Sequence, residues 1–433
     1  MNIKELAPPL SLSAWLDRIE GLHPWSIELG LERVAAVRDR MQLSDSFPVI
    51  LVGGTNGKGS TCAMLESIYH NAGYDTGLYT SPHLMAYNER VRVNCKEVDD
   101  QELVASFERV DAARGDISLT YFEFGTLAAQ QVFCDRNVDL AILEVGLGGR
   151  LDAVNIFEPA CSIVVNVGID HVDYLGTDRE AIGFEKAGIF RRGRPAVCAD
   201  DDPPASLLAQ ASAVGADLFL IGRDFGHSRT DTAWAFWSSA GKKNGLPPPA
   251  LRGACQLDNA AAAFECVRTL QQRLPVDMGA LRNGLLEATI PARFQVLPGK
   301  PVVILDVAHN AAAARVLSTN LLGLPNPGRT LAVFAVLQDK QIDAIVSILA
   351  GQIDQWFLCD LPVSRAARVE HVKRIVLQVS EEACVDAFDC VAGGLAAAQE
   401  AAREGDRIVI FGSFYTVSEA LKSSEALRML ASC

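Results

Sequence analysis

Residues 51–62 read LVGGTNGKGSTC, a glycine-rich stretch holding a single lysine between a β-branched run and a segment of helical character. Free backbone N–H groups in such a turn, the N-terminus of the helix that follows and the charge of Lys58 together suit a phosphate. The common pattern G-x-x-x-x-G-K-[ST] is not met, because Val52 stands six places before the lysine and Gly59 directly after it. The stretch is read as a variant phosphate-binding loop, with a plain glycine turn as the alternative. Three further residue types belong to the same chemistry. Glu144 ends one apolar run and His171 follows the next, while Ser81 supplies a hydroxyl. A carboxylate, a hydroxyl and nucleotide phosphates make an oxygen shell of the kind magnesium prefers. The other readings are a Glu144–Arg150 ion pair and a loop histidine satisfied by Asp170 or Asp173.

These residues need elements to hold them. VILVGG (49–54), DTGLYT (75–80), VDLAILEVG (138–146) and ACSIVVNVG (160–168) read as strands, and 60–73, 100–114 and 121–137 as helices. Strands alternating with helices imply a parallel sheet covered on both faces, with ligands at the carboxyl ends of its strands. On that basis the strands leading to Glu144 and His171 are expected to be neighbours. The rhythm breaks over 222–255, expected to form a small antiparallel excursion or a long loop. It restarts after the Pro and Gly at 298–301, with strands expected at 302–307, 330–337, 355–360, 383–388 and 407–413. The expected class is α/β: a larger N-terminal P-loop ATPase domain (1–298) with a mostly parallel sheet, and a smaller Rossmann-like C-terminal α/β domain (299–433).

A formal net charge of −14 argues against general nucleic-acid affinity, since backbone-phosphate binding draws on basic surface. The eleven cysteines contain no C-x-x-C pair, as expected of reduced, mostly buried thiols in a cytoplasmic protein. No run of 18 apolar residues occurs and the N-terminus lacks an apolar leader core, so no membrane partner is expected.

GTNGKGS resembles the nucleotide loop of the Mur ligase superfamily, in its folylpolyglutamate synthase branch. TSPHL (80–84), NERVRVN (88–94), TYFEFGT (120–126), EVGLGGRLDAVN (144–155), GIDHVDYLG (168–176), FEKAGIF (184–190), LDVAHN (305–310) and GSFYTV (412–417) resemble that family's segments in the same order. The resemblance implies an ATP-dependent ligase that adds L-glutamate to dihydropteroate, forming dihydrofolate, and to the terminal glutamate of reduced folates, through an acyl phosphate. It implies ATP and Mg2+ as cofactors. Thr55, Asn56, Gly57, Lys58, Gly59 and Ser60, with Asn259, Arg293, Asp306 and His309 from beyond the loop, are expected at the nucleotide. Ser81, Glu144 and His171 are expected at the metal, with Lys186 as a carbamate, although Lys186 also reads as an ordinary helix lysine paired with Glu185. Thr120, Tyr121, Phe122 and Glu123 and the stretch Arg150, Leu151, Asp152 and Ala153 are expected at the pteroate, the aromatic pair reading equally as core and Arg150 as a salt bridge. Two departures fall in the C-terminal site: AAAA follows His309-Asn310 where many relatives carry Pro, and Tyr415 stands where histidine is common.

Other readings are a single folylpolyglutamate synthase activity, another Mur-type amino-acid ligase, or a nucleotide-dependent switch. About 50 residues precede Lys58, too few for a uridine-nucleotide domain. A monomer is expected.

Overall fold

The computed structural model describes residues 10–25, 27–43, 46–230, 233–325 and 328–431. The first large sheet comprises β1 (Val49–Gly53), β2 (Thr76–Tyr79), β3 (Val91–Val93), β4 (Lys96–Glu97), β5 (Leu140–Glu144), β6 (Pro159–Val164), β7 (Pro195–Cys198) and β8 (Asp217–Leu220). They lie in the order β4-β3-β2-β5-β1-β6-β7-β8, with every pair parallel except β2–β3 and β3–β4. Its strands read as unbroken apolar runs because both faces are buried. In β1, Val49 and Leu51 enter the core on one face while Ile50 and Val52 enter it on the other, as a period of two requires. Helices Leu12–Glu20, Asp100–Arg114 and Tyr121–Arg136 cover the first face, and Lys58–Asn71, Gln256–Thr269 and Met278–Glu287 the second.

β1 lies between β5 and β6, so the strands that lead to Glu144 and His171 are not neighbours as expected. The phosphate-binding loop therefore leaves the sheet between them. The break over 222–255 is an antiparallel sheet of β9 (Phe225–Arg229), β10 (Trp234–Ser238) and β11 (Gly241–Leu246). It is anchored by Trp234 and Phe236, whose rings sit 5.3 and 5.6 Å from that of Phe264.

The second large sheet comprises β12 (Gln295–Leu297), β13 (Val302–Leu305), β14 (Thr330–Phe334), β15 (Gln355–Cys359), β16 (Cys384–Phe388) and β17 (Arg407–Phe411), in the order β12-β13-β17-β14-β15-β16. All neighbours run parallel except β12, which pairs antiparallel with β13. That pairing attaches residues 295–297 to the second sheet. None of the ten described cysteines forms a disulfide, five of them are buried, and Cys433 lies outside the described residues.

The carboxyl edges of the two sheets face each other, and Asp170, beyond β6, sits at the seam. Its carboxylate accepts hydrogen bonds from Lys340 Nζ at 2.7 Å and Asn310 Nδ2 at 3.0 Å, both from the second domain, and lies 3.4 Å from His309 Nε2. Burial alone would raise its pKa, but the hydrogen bond from His309 and the charges of His309 and Lys340 hold it well below the usual carboxylate range. Alongside, the side-chain amides of Asn56 and Asn310 exchange hydrogen bonds at 3.2 Å.

Two consequences are measurable. A Cβ at Gly284 would lie 2.5 Å from Ile68 Cα, so the helix Met278–Glu287 rides directly on the helix that starts at Lys58. Gly284→Val should cost about 1–3 kcal/mol in urea unfolding by overpacking that contact, and an unchanged midpoint would refute it. At the seam, a double-mutant cycle of Asp170→Asn and Lys340→Met should give a coupling of about 0.5–3 kcal/mol. Strictly additive losses would show that the pair does not couple the domains.

Candidate active site

A cleft of about 420 Å³ opens between the domains, lined by the segments that follow β1, β2, β5 and β6 on one side and β13, β14 and β17 on the other. Both sheets thus offer it the carboxyl ends of their strands, the usual place for ligands in parallel α/β sheets.

The loop after β1 is held open by its neighbours. Thr55 N donates to Asn166 O at 3.0 Å, Asn56 N to Asn166 Oδ1 at 2.9 Å, and Gly168 N to Thr55 Oγ1 at 2.8 Å. Gly57 has φ +81° and stands at the N-terminus of the helix Lys58–Asn71 with no side chain capping it, so the N–H groups there stay free for an anion. A Cβ at Gly57 would lie 2.6 Å from Asn259 Oδ1, which excludes any larger residue. Lys58 folds back over the loop, donating to Gly54 O at 3.2 Å and Thr55 O at 3.3 Å. Gly59, where the common pattern has a hydroxyl, faces the carboxylate of the neighbouring strand: a Cβ there would lie 3.7 Å from Glu144 Oε2 and 2.8 Å from Ile290 Cδ1. Ile290 fills the room that a side chain at this position would need. Ser60 accepts a long hydrogen bond of 3.4 Å from Gln256 Nε2, and Gln256 Oε1 accepts from Asn259 Nδ2 at 2.9 Å.

Glu144 ends β5 buried, and its Oε2 accepts the Ser81 N–H at 3.2 Å. Burial pushes its pKa up while the charges of Lys58 and Arg293 pull it down. Arg150 does not pair with it; that guanidinium forks onto Glu185 at 2.8 and 3.0 Å. Glu185 is therefore occupied, and among the described residues Lys186 has no ion pair. Lys186 is fully enclosed, and burial followed by the charge of Lys58 brings its pKa down to about 7. His171 adopts a left-handed φ of 52° beside Asp170, and burial first of all lowers its pKa to about 4, leaving a neutral ring. Ser81, Glu144, His171 and Lys186 all line the cleft with Thr55, Asn56, Gly57 and Lys58. No set of three His, Cys, Asp or Glu side chains among the described residues forms a metal cage. One carboxylate, one hydroxyl and one neutral imidazole fit an ion that keeps water and takes phosphate oxygens.

Other expected residues sit behind the wall. Thr120 and Glu123 cap the helix Tyr121–Arg136 reciprocally, Glu123 N donating to Thr120 Oγ1 at 3.3 Å and Thr120 N to Glu123 Oε2 at 2.8 Å. Arg33 fixes that box from outside through Glu123 at 3.1 Å. Tyr121 packs on Tyr87 and Phe122 on Tyr79, with Gly146 admitting the Phe122 ring. Asp152, its pKa raised to about 7 by burial, accepts the N–H groups of Leu147 and Val154 at 2.8 and 3.1 Å, while Leu151 and Ala153 flank it. Asp306 is committed to the N–H groups of Ala308 and Phe294, at 2.7 and 2.8 Å. Arg293 and His309 do reach the cleft, with the Arg293 guanidinium 5.3 Å from the Phe414 ring centre. The sequence reading missed His83, Arg90, Lys340, Arg365 and Lys422, which also line it. For Lys340 and Arg365 the one available signal was their place just beyond strands of the second sheet.

Comparison with known proteins agrees with this architecture. The family model of the Mur ligase middle domain matches residues 52–267, and that of the Mur ligase glutamate ligase domain matches residues 292–414. The chain is 42% identical over 418 residues to the dihydrofolate synthase/folylpolyglutamate synthase of Escherichia coli (strain K12), covering 96% of each. The crystal structure of E. coli FolC in complex with DHPP and ADP superposes with a TM-score of 0.92 at 42% identity, covering 97% of this chain and 99% of that one. A bifunctional folylpolyglutamate synthase/dihydrofolate synthase with Mn, AMPPNP and L-glutamate bound superposes with a TM-score of 0.88 at 40% identity, covering 97% and 98%. The chain belongs to the Mur ligase family, in its dihydrofolate synthase/folylpolyglutamate synthase branch.

Proposed function

We propose that this chain is an ATP-dependent acid–amino-acid ligase that joins L-glutamate to dihydropteroate, and to the terminal glutamate of reduced folates. The observation that carries the reading is the meeting, in one interdomain cleft, of Lys58 and the loop N–H groups with Ser81, Glu144 and Arg293. A carboxylate and an amine do not condense usefully in water, because the oxygen leaving group is too poor. Attack of the acid's carboxylate oxygen on the γ-phosphorus of ATP breaks the bond to ADP and leaves an acyl phosphate. The glutamate amine then adds to the acyl carbon, loses its proton and expels phosphate, forming the amide. Lys58 and the loop amides neutralise the transferring group, and Arg293 approaches it from the junction just before the second sheet once the cleft is closed. Ser81, Glu144 and His171 would hold magnesium, which when bound offsets phosphate charge. Lys340 and Arg365, on the second-domain wall, are the side chains we assign to the carboxylates of the incoming glutamate.

We divide the chain just before Gln295, where the second sheet begins, and assign Asn259 and Asp306 to the nucleotide's far end and residues 120–123 and 150–153 to the pteroate. Asp152 and Glu123 act there by fixing backbone, in keeping with their hydrogen bonds. Both walls of the cleft come from one chain, which supports a monomeric enzyme. No helix among the described residues is long and apolar enough to cross a membrane. The free thiols support a cytoplasmic setting.

Purified protein given ATP, magnesium, glutamate and dihydropteroate should release ADP and form dihydrofolate. ADP release that ignores both the acid and the amine would overturn the assignment, and turnover of tetrahydrofolate alone would restrict it to one activity. Lys58→Ala and Glu144→Ala should each lower kcat at least about a hundredfold with the fold intact. The amine of Lys186, half neutral near pH 7, is suited to take up carbon dioxide. With 13C-bicarbonate the protein should show a carbamate resonance that Lys186→Gln lacks, and identical spectra would remove that role.

A further inference from the structure

Arg90 stands in the cleft wall between the phosphate loop and the Tyr121 segment, and no part of the reaction described so far uses it. It is 9% exposed. Its guanidinium packs against two rings, 5.3 Å from the centres of both Tyr87 and Tyr121, which themselves meet edge to face at 5.8 Å. Its Nε donates to His83 Nδ1 at 2.8 Å, the one hydrogen bond its side chain makes among the described residues, and no carboxylate there lies within 4 Å of it. Three other cations of the wall are already paired: Lys340 with Asp170, Arg365 with Asp339 and Lys422 with Glu419. An enclosed guanidinium packed on two tyrosine rings, with its Nη fork uncommitted among the described residues, is suited to receive a carboxylate in two parallel hydrogen bonds.

The two acids proposed above differ in this respect. Dihydropteroate has one carboxylate, which reacts. A folate ending in glutamate has two, and when its γ-carboxylate reacts its α-carboxylate must find a partner in the enclosed cleft. We infer that Arg90 binds the α-carboxylate of the terminal glutamate of the folate substrate, and so equips the one cleft for the second acid. The inference rests on the activity proposed above. Its position supports the role: Tyr121, on which it packs, belongs to the segment assigned to the pteroate, and Arg90 lines the same cleft as Glu144 and the phosphate loop.

The test compares tetrahydrofolate with its α-carboxamide analogue, which keeps the shape and the reacting γ-carboxylate but loses the second charge. The unaltered enzyme should favour the acid at least about thirtyfold in kcat/KM, the size of a lost charge-assisted pair. Arg90→Gln should reduce that preference to within about threefold, and Arg90→Lys, which keeps the charge without the fork, should fall between. A variant that merely loosened the wall would slow both substrates and leave their ratio unchanged, which would overturn the inference. So would an unaltered enzyme that is indifferent to the α-carboxylate while turning over folate. Failure of the unaltered enzyme on dihydropteroate and folate alike would instead defeat the activity itself.

Discussion

The contact on which the rest depends is the carboxylate of Asp170 at the seam between two parallel sheets. It belongs to the first domain, two residues beyond Gly168, which anchors the phosphate loop, yet its partners Lys340, His309 and Asn310 belong to the second. A buried carboxylate is costly without cationic partners, so the two domains satisfy it only when their carboxyl edges face each other. That single requirement encloses the cleft and brings Arg293 and His309 opposite the loop. The Asn56–Asn310 exchange ties the same seam to the loop itself, so the loop and the domain seam share one set of atoms.

Inside the cleft, the arrangement separates charge handling from shape. Lys58, the free N–H groups at Gly57 and Arg293 supply positive charge, while Glu144 ends its strand buried within reach of the charges of Lys58 and Arg293. Lys186 is the contrary case, a cation enclosed without an anion and so brought near neutrality. Such opposed displacements mark a site prepared for a ligand that carries both metal and phosphate.

The chemistry-bearing positions were legible in the linear text to differing degrees. The loop was legible because a strand, glycines, a lysine and a helix start are contiguous, and Glu144 because it ends an apolar run. The roles of Thr120, Glu123 and Arg150 were not. Their side chains turn to local partners, a helix cap and Glu185, and a capping box looks the same in text whether or not a ligand lies beside it. Arg90, Lys340 and Arg365 went unnoticed because single basic residues are common and only their convergence distinguishes them.

By itself the sequence determined the alternation of buried strands and helices, the two α/β units, the variant loop and the ordered motifs that mark the family. These are carried by neighbours along the chain, through periodicity, turn chemistry and helix signals, all of short range. Strand order is a different kind of fact. That β1 separates β5 from β6, that β12 joins the second sheet, and that Asp170 meets Lys340 across 170 positions follow from packing between remote segments. Only the tertiary structure decided which charges face one another. Burial and proximity, rather than residue type, set the state of Glu144, Lys186 and Asp170, and they left the fork of Arg90 open.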